Sequence, residues 1–228
     1  MAVKQRARKQ EDKQARRKAI LAVAARLLGR QQYHRITMAE VARRCSLAKG
    51  TLYLYFRSKE ELFLATLEEQ LAEWFDALSV ELAAVVPSRA GSVDAPERFA
   101  QAVFRTIEAR ETLADLLPLL HTVLEQNIDQ PTALAFKELL REKMEAGAQA
   151  VERAVPGLPP GSGGRVLLRL HALLVGLRQM ADPAPVVAEV LARPEMEPLR
   201  VEFGPELTET LAAMVRGMVR VHAVPSGS

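Results

Sequence analysis

The 228-residue sequence is poor in the residues that staple a chain or anchor it in a membrane. Its single cysteine, Cys45, rules out an internal disulfide, which fits a reducing compartment. Aromatic residues are only 5% of the chain, with one Trp and three Tyr, so aliphatic side chains must build the core. No apolar run approaches the ~18 residues of a membrane span. The one secretory-like stretch, residues 19–25 behind a basic start, is cut by Arg26 and continues as an amphipathic pattern, so no signal peptide is expected. Strand-like alternation and fixed-period repeats are missing as well.

Signatures of chemistry are equally sparse. The four His and one Cys show no metal-ligand spacing beyond His121 and Glu125, one helical turn apart, so neither a metal nor a cofactor is expected. There is no nucleophile elbow and no His with an acid-base constellation. Gly161-Ser-Gly-Gly164 is neither preceded by a strand nor followed by Lys-Ser/Thr, which makes it a linker and not a phosphate loop. An enzyme is not expected.

What the chain does have is an uneven charge. Residues 1–60 hold sixteen Lys/Arg against four Asp/Glu, a net +12, leaving fifteen against twenty-four, a net −9, for the remainder. A basic head on an acidic body suits a polyanion such as nucleic acid at one end only. Residues 1–14 read as a basic disordered arm, for which simple solvation and a specific role both stand.

Helical spacing recurs from end to end, so the fold class is all-α. A first helix is predicted over residues 11–28, with Ile20, Val23, Ala24, Leu27 and Leu28 on one stripe. Thr37-Met-Ala-Glu40 has the spacing of a capping box, in which the Thr hydroxyl accepts a free N–H and the Glu reaches back. It opens a short helix over 38–45. A turn at 46–48 leads to a second short pattern over 49–56, and a second capping box, Ser58-Lys-Glu-Glu61, opens a long helix to about residue 86. Further helices are expected near 96–109, 113–128, 132–155, 165–180, 185–192 and 205–222, with a loop at 87–96, a flexible linker at 156–164 and a frayed tail at 224–228.

Two short helices joined by a tight turn in a basic segment form a helix-turn-helix, whose second helix enters the ~12 Å wide major groove of DNA. All three tyrosines, Tyr33, Tyr53 and Tyr55, fall in this segment. Leu52 and Phe56 share one face and are expected to pack on Val41 and the first helix, leaving Lys49, Thr51 and Tyr53 to point elsewhere. Gly50 in the first turn weakens a helix by roughly 1 kcal/mol against Ala, and it makes sense where backbone must approach a base edge or phosphate closely. Tyr33 and Phe56 read as core, Cys45 as a small buried apolar residue, and Arg43 and Arg44 equally as a solvated face or as phosphate contacts.

Residues 36–62, and above all Lys49-Gly-Thr-Leu-Tyr-x-Tyr-Phe-x-Ser-Lys59, resemble the DNA-binding segment of the tetracycline-repressor (TetR) family of bacterial regulators. The resemblance covers roughly residues 15–67. It implies a three-helix DNA-binding domain over 15–62, with the helix-turn-helix at about 36–55, and a helical body over 63–223 that dimerises and, as often in the family, holds a small molecule. Carried over by residue, it gives Thr37 to phosphate, Lys49, Gly50 and Thr51 to the front of the recognition helix, Tyr53 to a base or thymine methyl, Tyr55 to phosphate through its hydroxyl and Lys59 to a phosphate clamp. Four positions depart from the family pattern: Ser46 replaces the turn glycine, Ala48 a capping Ser, Gln32 a glycine after the first helix and Leu54 an aromatic or polar residue.

In the body, Val166, Leu170, Leu173, Leu174 and Leu177 form one stripe and Leu207, Leu211, Met214, Val215, Met218 and His222 another. Gly176 and Gly217 would allow close backbone approach. A homodimer through helices 165–180 and 205–222 is therefore expected, against the alternative that both stripes face the monomer's own core. Trp74, Phe104, His121 and Met144 are candidate lining residues for an apolar cavity holding an effector of unknown identity, although such a His is more often satisfied within a core. The function expected is a cytoplasmic, nucleoid-associated, sequence-specific regulator that acts as a ligand-responsive repressor on a double-stranded, pseudo-palindromic operator. The alternative is an architectural DNA-binding protein that answers to no ligand.

Overall fold

The computed structural model describes residues 2–85 and 94–223, and the side chains of 10–84 and 94–219. The tail at 224–228, most of the loop at 87–96 and the His222 side chain lie outside the described residues. Among the described residues every regular element is helical, and two compact units divide the chain.

The first unit comprises Met1–Gln70 and Leu119–Phe136. Its first helix, α1 (Ala2–Leu28), starts earlier than the sequence suggested and runs through the expected arm. Residues 2–14 contain no Gly or Pro, so local propensity allows helix there. Residues 10–19 are all exposed, and core packing begins only at Ile20, followed by Leu21, Ala24, Leu27 and Leu28. A 3-10 turn (Tyr33–Arg35) leads to α2 (Met38–Arg44), α3 (Lys49–Tyr53) and α4 (Lys59–Val85). The later segment that joins this unit does not form the single helix over 113–128 that the spacing predicts. Instead the chain forms α6 (Glu111–Leu116) and, beyond Pro118, a π turn (Leu120–Leu124) and a 3-10 turn (Glu125–Asn127). Pro118 has no N–H for the helical ladder and its ring crowds the preceding turn, so the helix stops before it. Leu120, Leu124 and Phe136 are buried, and Arg57 Nη1 meets Asp129 Oδ2 at 2.7 Å.

The second unit comprises Leu71–Pro118 and Lys137–Ser228, so the boundary falls inside α4. It contains α5 (Ala95–Glu108), most of α7 (Gln130–Ala154), α8 (Gly163–Ala181), α9 (Pro185–Leu191), a 3-10 turn (Pro194–Leu199) and α10 (Phe203–Ala223). Helix α10 packs on α5 and α8. Its Leu207, Leu211 and Val215 are buried, as are Val166, Leu170 and Leu174 of α8 and Phe99 and Val103 of α5. Most of the two stripes assigned to a partner chain therefore face the monomer's own core. An amphipathic pattern shows that a face is covered, and here α5 and α8 cover α10 while α10 and α6 cover α8. Arg216 of α10 pairs with Glu97 of α5, and Arg178 of α8 bonds Asp115 of α6 at 2.9 Å.

The segment 156–164 is not the flexible linker its composition suggested. Leu158 and Ser162 are buried, and Gly157 (φ +95°) and Gly161 (φ +75°) provide left-handed turns that other residues rarely adopt.

Candidate nucleic-acid interface

The site is built from two helix starts and the turn between them. Thr37 caps α2, its hydroxyl accepting from the Glu40 N–H at 3.2 Å as the capping box requires. Glu40 does not close the box; its carboxylate accepts from Gln31 Nε2 at 3.0 Å and so ties α2 to the end of α1. Helix α2 ends at Arg44 with Cys45 as its C-cap, and Ser46 takes φ +55°. This is the left-handed conformation that a turn glycine would adopt without strain, and a side chain there costs about 1 to 2 kcal/mol. Ser46→Gly is expected to raise stability by about 0.5 to 1 kcal/mol, since glycine's greater freedom in the unfolded chain takes back part of the gain; a urea midpoint measures it.

Helix α3 begins at Lys49 with Ala48 as a cap that makes no side-chain hydrogen bond. Its Leu52 is completely buried, with Val41 of α2 and Phe56 just beyond α3 equally hidden. That fixes what faces out. Lys49 and Gly50 are exposed and Thr51 is half-buried, while Tyr53 and Leu54 are 41% and 81% exposed. The Lys49 ammonium lies 5.9 Å from the Tyr53 ring centroid. Thr37, Arg43 and Arg44 are exposed, and Tyr55 is half-buried. A Cβ placed on Gly50 would meet nothing within 4 Å. Gln32 adopts an ordinary extended conformation (φ −63°, ψ 145°), so the missing glycine there leaves no strain.

The start of α4 holds the head from behind. Ser58 Oγ accepts from the Glu61 N–H at 3.0 Å, and Glu61 Oε2 accepts from the Arg57 N–H at 2.6 Å, one residue earlier than an ideal capping box. Lys59 turns inward: its Nζ donates to the carbonyls of Tyr33 and Ile36 at 3.0 and 3.2 Å and stands 3.9 Å from the Tyr33 ring centroid. Tyr33 meets Phe63 edge-on at 5.1 Å and donates its hydroxyl to Glu60 at 3.1 Å. Burial, reinforced by the Glu60 carboxylate, raises the Tyr33 pKa well above its ordinary value near 10. Since the folded head prefers the neutral phenol, this contribution is present below pH ~10 and lost as the pH rises further. Burial likewise lowers the Lys59 pKa and is only partly countered by Glu60.

Two of the three Lys59 N–H donors are thus taken by carbonyls inside the head, where the resemblance gave the whole group to phosphate. Lys59→Met, which keeps the stem and removes the donors, is expected to destabilise the head by about 1 to 2 kcal/mol and to leave the salt dependence of DNA binding unchanged. Thermal melts and a salt titration measure the two effects.

Sequence reasoning missed Arg17, whose guanidinium lies 5.3 Å from the Phe56 ring centroid. It also acts on Glu68 of α4, whose pKa burial raises and Arg17 lowers in part. Arg17 sits among four Lys/Arg of residues 13–18, and nothing in that pattern singles it out. Cys45 is only half-buried; burial raises its thiol pKa, and Arg26 partly offsets this.

Comparison with known proteins agrees with this architecture. The family described as "Bacterial regulatory proteins, tetR family" matches residues 20–66, and "Tetracyclin repressor-like, C-terminal domain" matches residues 68–221. The chain belongs to the TetR family. This TetR-family protein is a helix-turn-helix transcriptional regulator that binds DNA. It is 28% identical over 177 residues to the HTH-type transcriptional regulator BetI of Rhizobium meliloti (strain 1021), a match covering 76% of this chain and 82% of that one. Among solved structures, a putative TetR-family regulator from Mesorhizobium loti MAFF303099 superposes with a TM-score of 0.57 at 15% identity, covering 91% and 96% of the two chains. A TetR regulator from Rhodococcus sp. RHA1 gives 0.54 at 22% identity, covering 94% and 98%. These two superpositions establish the shared fold.

Of the four candidate effector contacts of the TetR-family body, the three in the second unit each have different neighbours. Trp74 is buried and donates its indole N–H to Thr106 Oγ1 at 3.1 Å. Phe104, two residues earlier on α5, faces Gly204, where a Cβ would come within 2.8 Å of the Phe104 ring. Positions two apart on a helix point in nearly opposite directions, so Trp74 and Phe104 meet opposite faces of α5. His121 belongs to the first unit; its side chain is 56% exposed and pairs through Nδ1 with Glu125 at 2.8 Å. Met144 lines a shallow groove on α7 with Leu140, Ala148 and Gly164. Among the described residues no cluster of three or more His, Cys, Asp or Glu could hold a metal, and no helix is long and apolar enough to cross a membrane.

Proposed function

We propose that this TetR-family regulator is a homodimeric repressor that reads a pseudo-palindromic operator through α3 and is released by a small-molecule effector bound in its helical body. The observation that carries this reading is the outward row on α2 and α3. Thr37, Lys49, Gly50, Thr51, Tyr53 and Leu54 are left partly or wholly in solvent while Val41, Leu52 and Phe56 are fully buried. In the roles carried over from the family, Thr37 and Tyr55 hold phosphate, Lys49 donates to guanine O6 or N7, and Thr51 and Tyr53 reach bases. Leu54 joins Tyr53 as an apolar surface for a thymine methyl.

Dimerisation uses the faces of α8 and α10 that the monomer leaves open. On α8 these are Leu168 and Met180, 62% and 57% exposed, with Ala172 between them. On α10, Glu206, Thr210, Ala213 and Gly217 follow one another at helical spacing and are all exposed. A Cβ at Gly176 or Gly217 would touch nothing within 4 Å, which leaves room for a partner helix. An effector works by population shift: it binds the conformation with the wrong head spacing more tightly, and DNA and effector then weaken each other by the same factor.

Selection of bound duplexes from a random pool tests the reading. Two inverted half-sites, centred about one helical turn of roughly 10 base pairs or a multiple apart, are expected. Recovery of single half-sites, or a monomer in sedimentation equilibrium, would count against the dimer. Equal DNA affinity with and without every compound that binds in a thermal-shift screen would leave the architectural, ligand-independent alternative.

A further inference from the structure

The described residues of α1 ahead of Ile20 lie outside the core. Residues 10–19 are exposed without exception, and the helix enters the core only at Ile20. Between residues 2 and 18 the sequence places eight Lys/Arg against Glu11 and Asp12 alone. Like charges at this density repel one another along a helix and weaken it. Among the described basic groups of this stretch, Lys13, Arg16, Arg17 and Lys18, only Arg17 faces an internal partner, lying over Phe56.

The location of the segment gives the charge a direction. Asp12, Ala15, Arg16, Ala19 and Arg26 of α1 line one groove, of about 850 Å³, with Cys45, Ser46 and Leu47. The outer half of α1 therefore runs beside the turn that enters α3. On the N-terminal side of Asp12, α1 continues through ten more residues to Ala2. At 1.5 Å per residue this carries the basic stretch about 15 Å past the turn. With a rise of roughly 3.4 Å per base pair along the duplex axis, that reach is roughly four base-pair steps.

We propose that the basic start of α1 is a second DNA-binding element, which holds the phosphate backbone flanking each half-site outside the footprint of α2 and α3. DNA is the occupant because α3 already brings a duplex to this edge of the head and the stretch carries a net +6. Phosphates neutralise the repulsion between neighbouring turns, so binding and helix formation in this stretch reinforce each other. The contact reads no bases; it adds affinity and salt dependence to whatever α3 selects. The proposal rests on the helix-turn-helix face binding DNA.

The test compares the full chain with a variant combining Lys4→Gln, Arg6→Gln, Arg8→Gln and Lys9→Gln. Gln matches Lys and Arg in helix propensity and removes like-charge repulsion, and all four positions precede the core, so the melting temperature should not fall. Both proteins are titrated with a duplex recovered by selection and with the same duplex trimmed to its protected core. The expected result is a slope of log affinity against log salt that is shallower by roughly 2 to 4 in the variant, with at least a ~10-fold loss of affinity for the long duplex at low salt. The full chain should also lose affinity on trimming, and the variant should not. Equal slopes and equal responses to trimming overturn the arm's role while leaving the helix-turn-helix reading intact. Failure of both proteins to bind either duplex overturns that reading, and the proposal with it.

Discussion

Gly50→Ala is expected to make the protein more stable and a poorer DNA binder. Within the fold nothing asks for glycine at this position. Gly50 is not among the glycines with positive φ, and an added Cβ would stand in open space. Ala is the better helix former by roughly 1 kcal/mol, and α3 is only five residues long with an uncapped start, so most of that preference should appear as stability. The same Cβ would stand on the exposed front of α3, between Lys49 and Thr51, where the backbone must come against the groove floor or a phosphate. Holding the helix off by the radius of a methyl group lengthens several hydrogen bonds at once, for a loss of about 1 to 3 kcal/mol, or roughly 5- to 150-fold in affinity. Urea midpoints and binding titrations on one protein preparation measure both effects. Unchanged affinity for the selected duplex would show that α3 does not approach DNA through Gly50.

The opposite signs of those two effects follow from how this head divides its residues. Its core side chains are placed by periodicity, and its polar outer row is what that periodicity leaves over. The sequence therefore made legible the features that are local: the Thr37 and Ser58 caps, the burial of Leu52 and Phe56, and the strained Ser46. Each depends on residues three or four positions away. Lys59 was not legible, because its acceptors are the backbone carbonyls of Tyr33 and Ile36, more than twenty residues upstream. Arg17 was hidden for the same reason, since Phe56 reaches it only once α1 and α3 have packed.

In the body, most of the stripe residues on α8 and α10 face the monomer's own core, the alternative that the pattern leaves open. The stripes on α8 and α10 show burial, but no sequence pattern distinguishes α5 of the same chain from a helix of another. Trp74 and Phe104 were paired by their apolar character, whereas the chain separates them across α5 through Thr106 and Gly204. The composition of 156–164 points to a linker, yet the segment is packed. Gly and Pro mark where the backbone turns, and two of its glycines do turn it left-handed, but Leu158 and Ser162 are anchored in the core.

That anchored turn ends at a close crossing of helices, and Gly163→Ala is expected to be the most damaging added methyl among the described glycines. Gly163 opens α8 where it crosses α7, and its N–H donates to Glu152 Oε1 at 2.8 Å. A Cβ on Gly163 would be driven against the Ala148 carbonyl group, 2.8 Å from its carbon and 2.9 Å from Ala148 Cα. These are backbone atoms in the interior of α7 and cannot swing aside as a flexible side chain would. The two helices must separate, which loosens Leu167 and Val166 behind the contact and stretches the Gly163–Glu152 hydrogen bond. Overpacking of this kind costs about 3 kcal/mol or more, a large share of the roughly 5 to 15 kcal/mol that holds a domain together. Gly164→Ala is the matched control: the next residue gains the same methyl in open space, with nothing within 4 Å. It is expected to be neutral or to gain up to ~1 kcal/mol from helix propensity. Denaturant titration of the pair isolates the contact, because composition, charge and helix are the same in both; equal midpoints would mean that α7 and α8 do not meet backbone to backbone at Gly163.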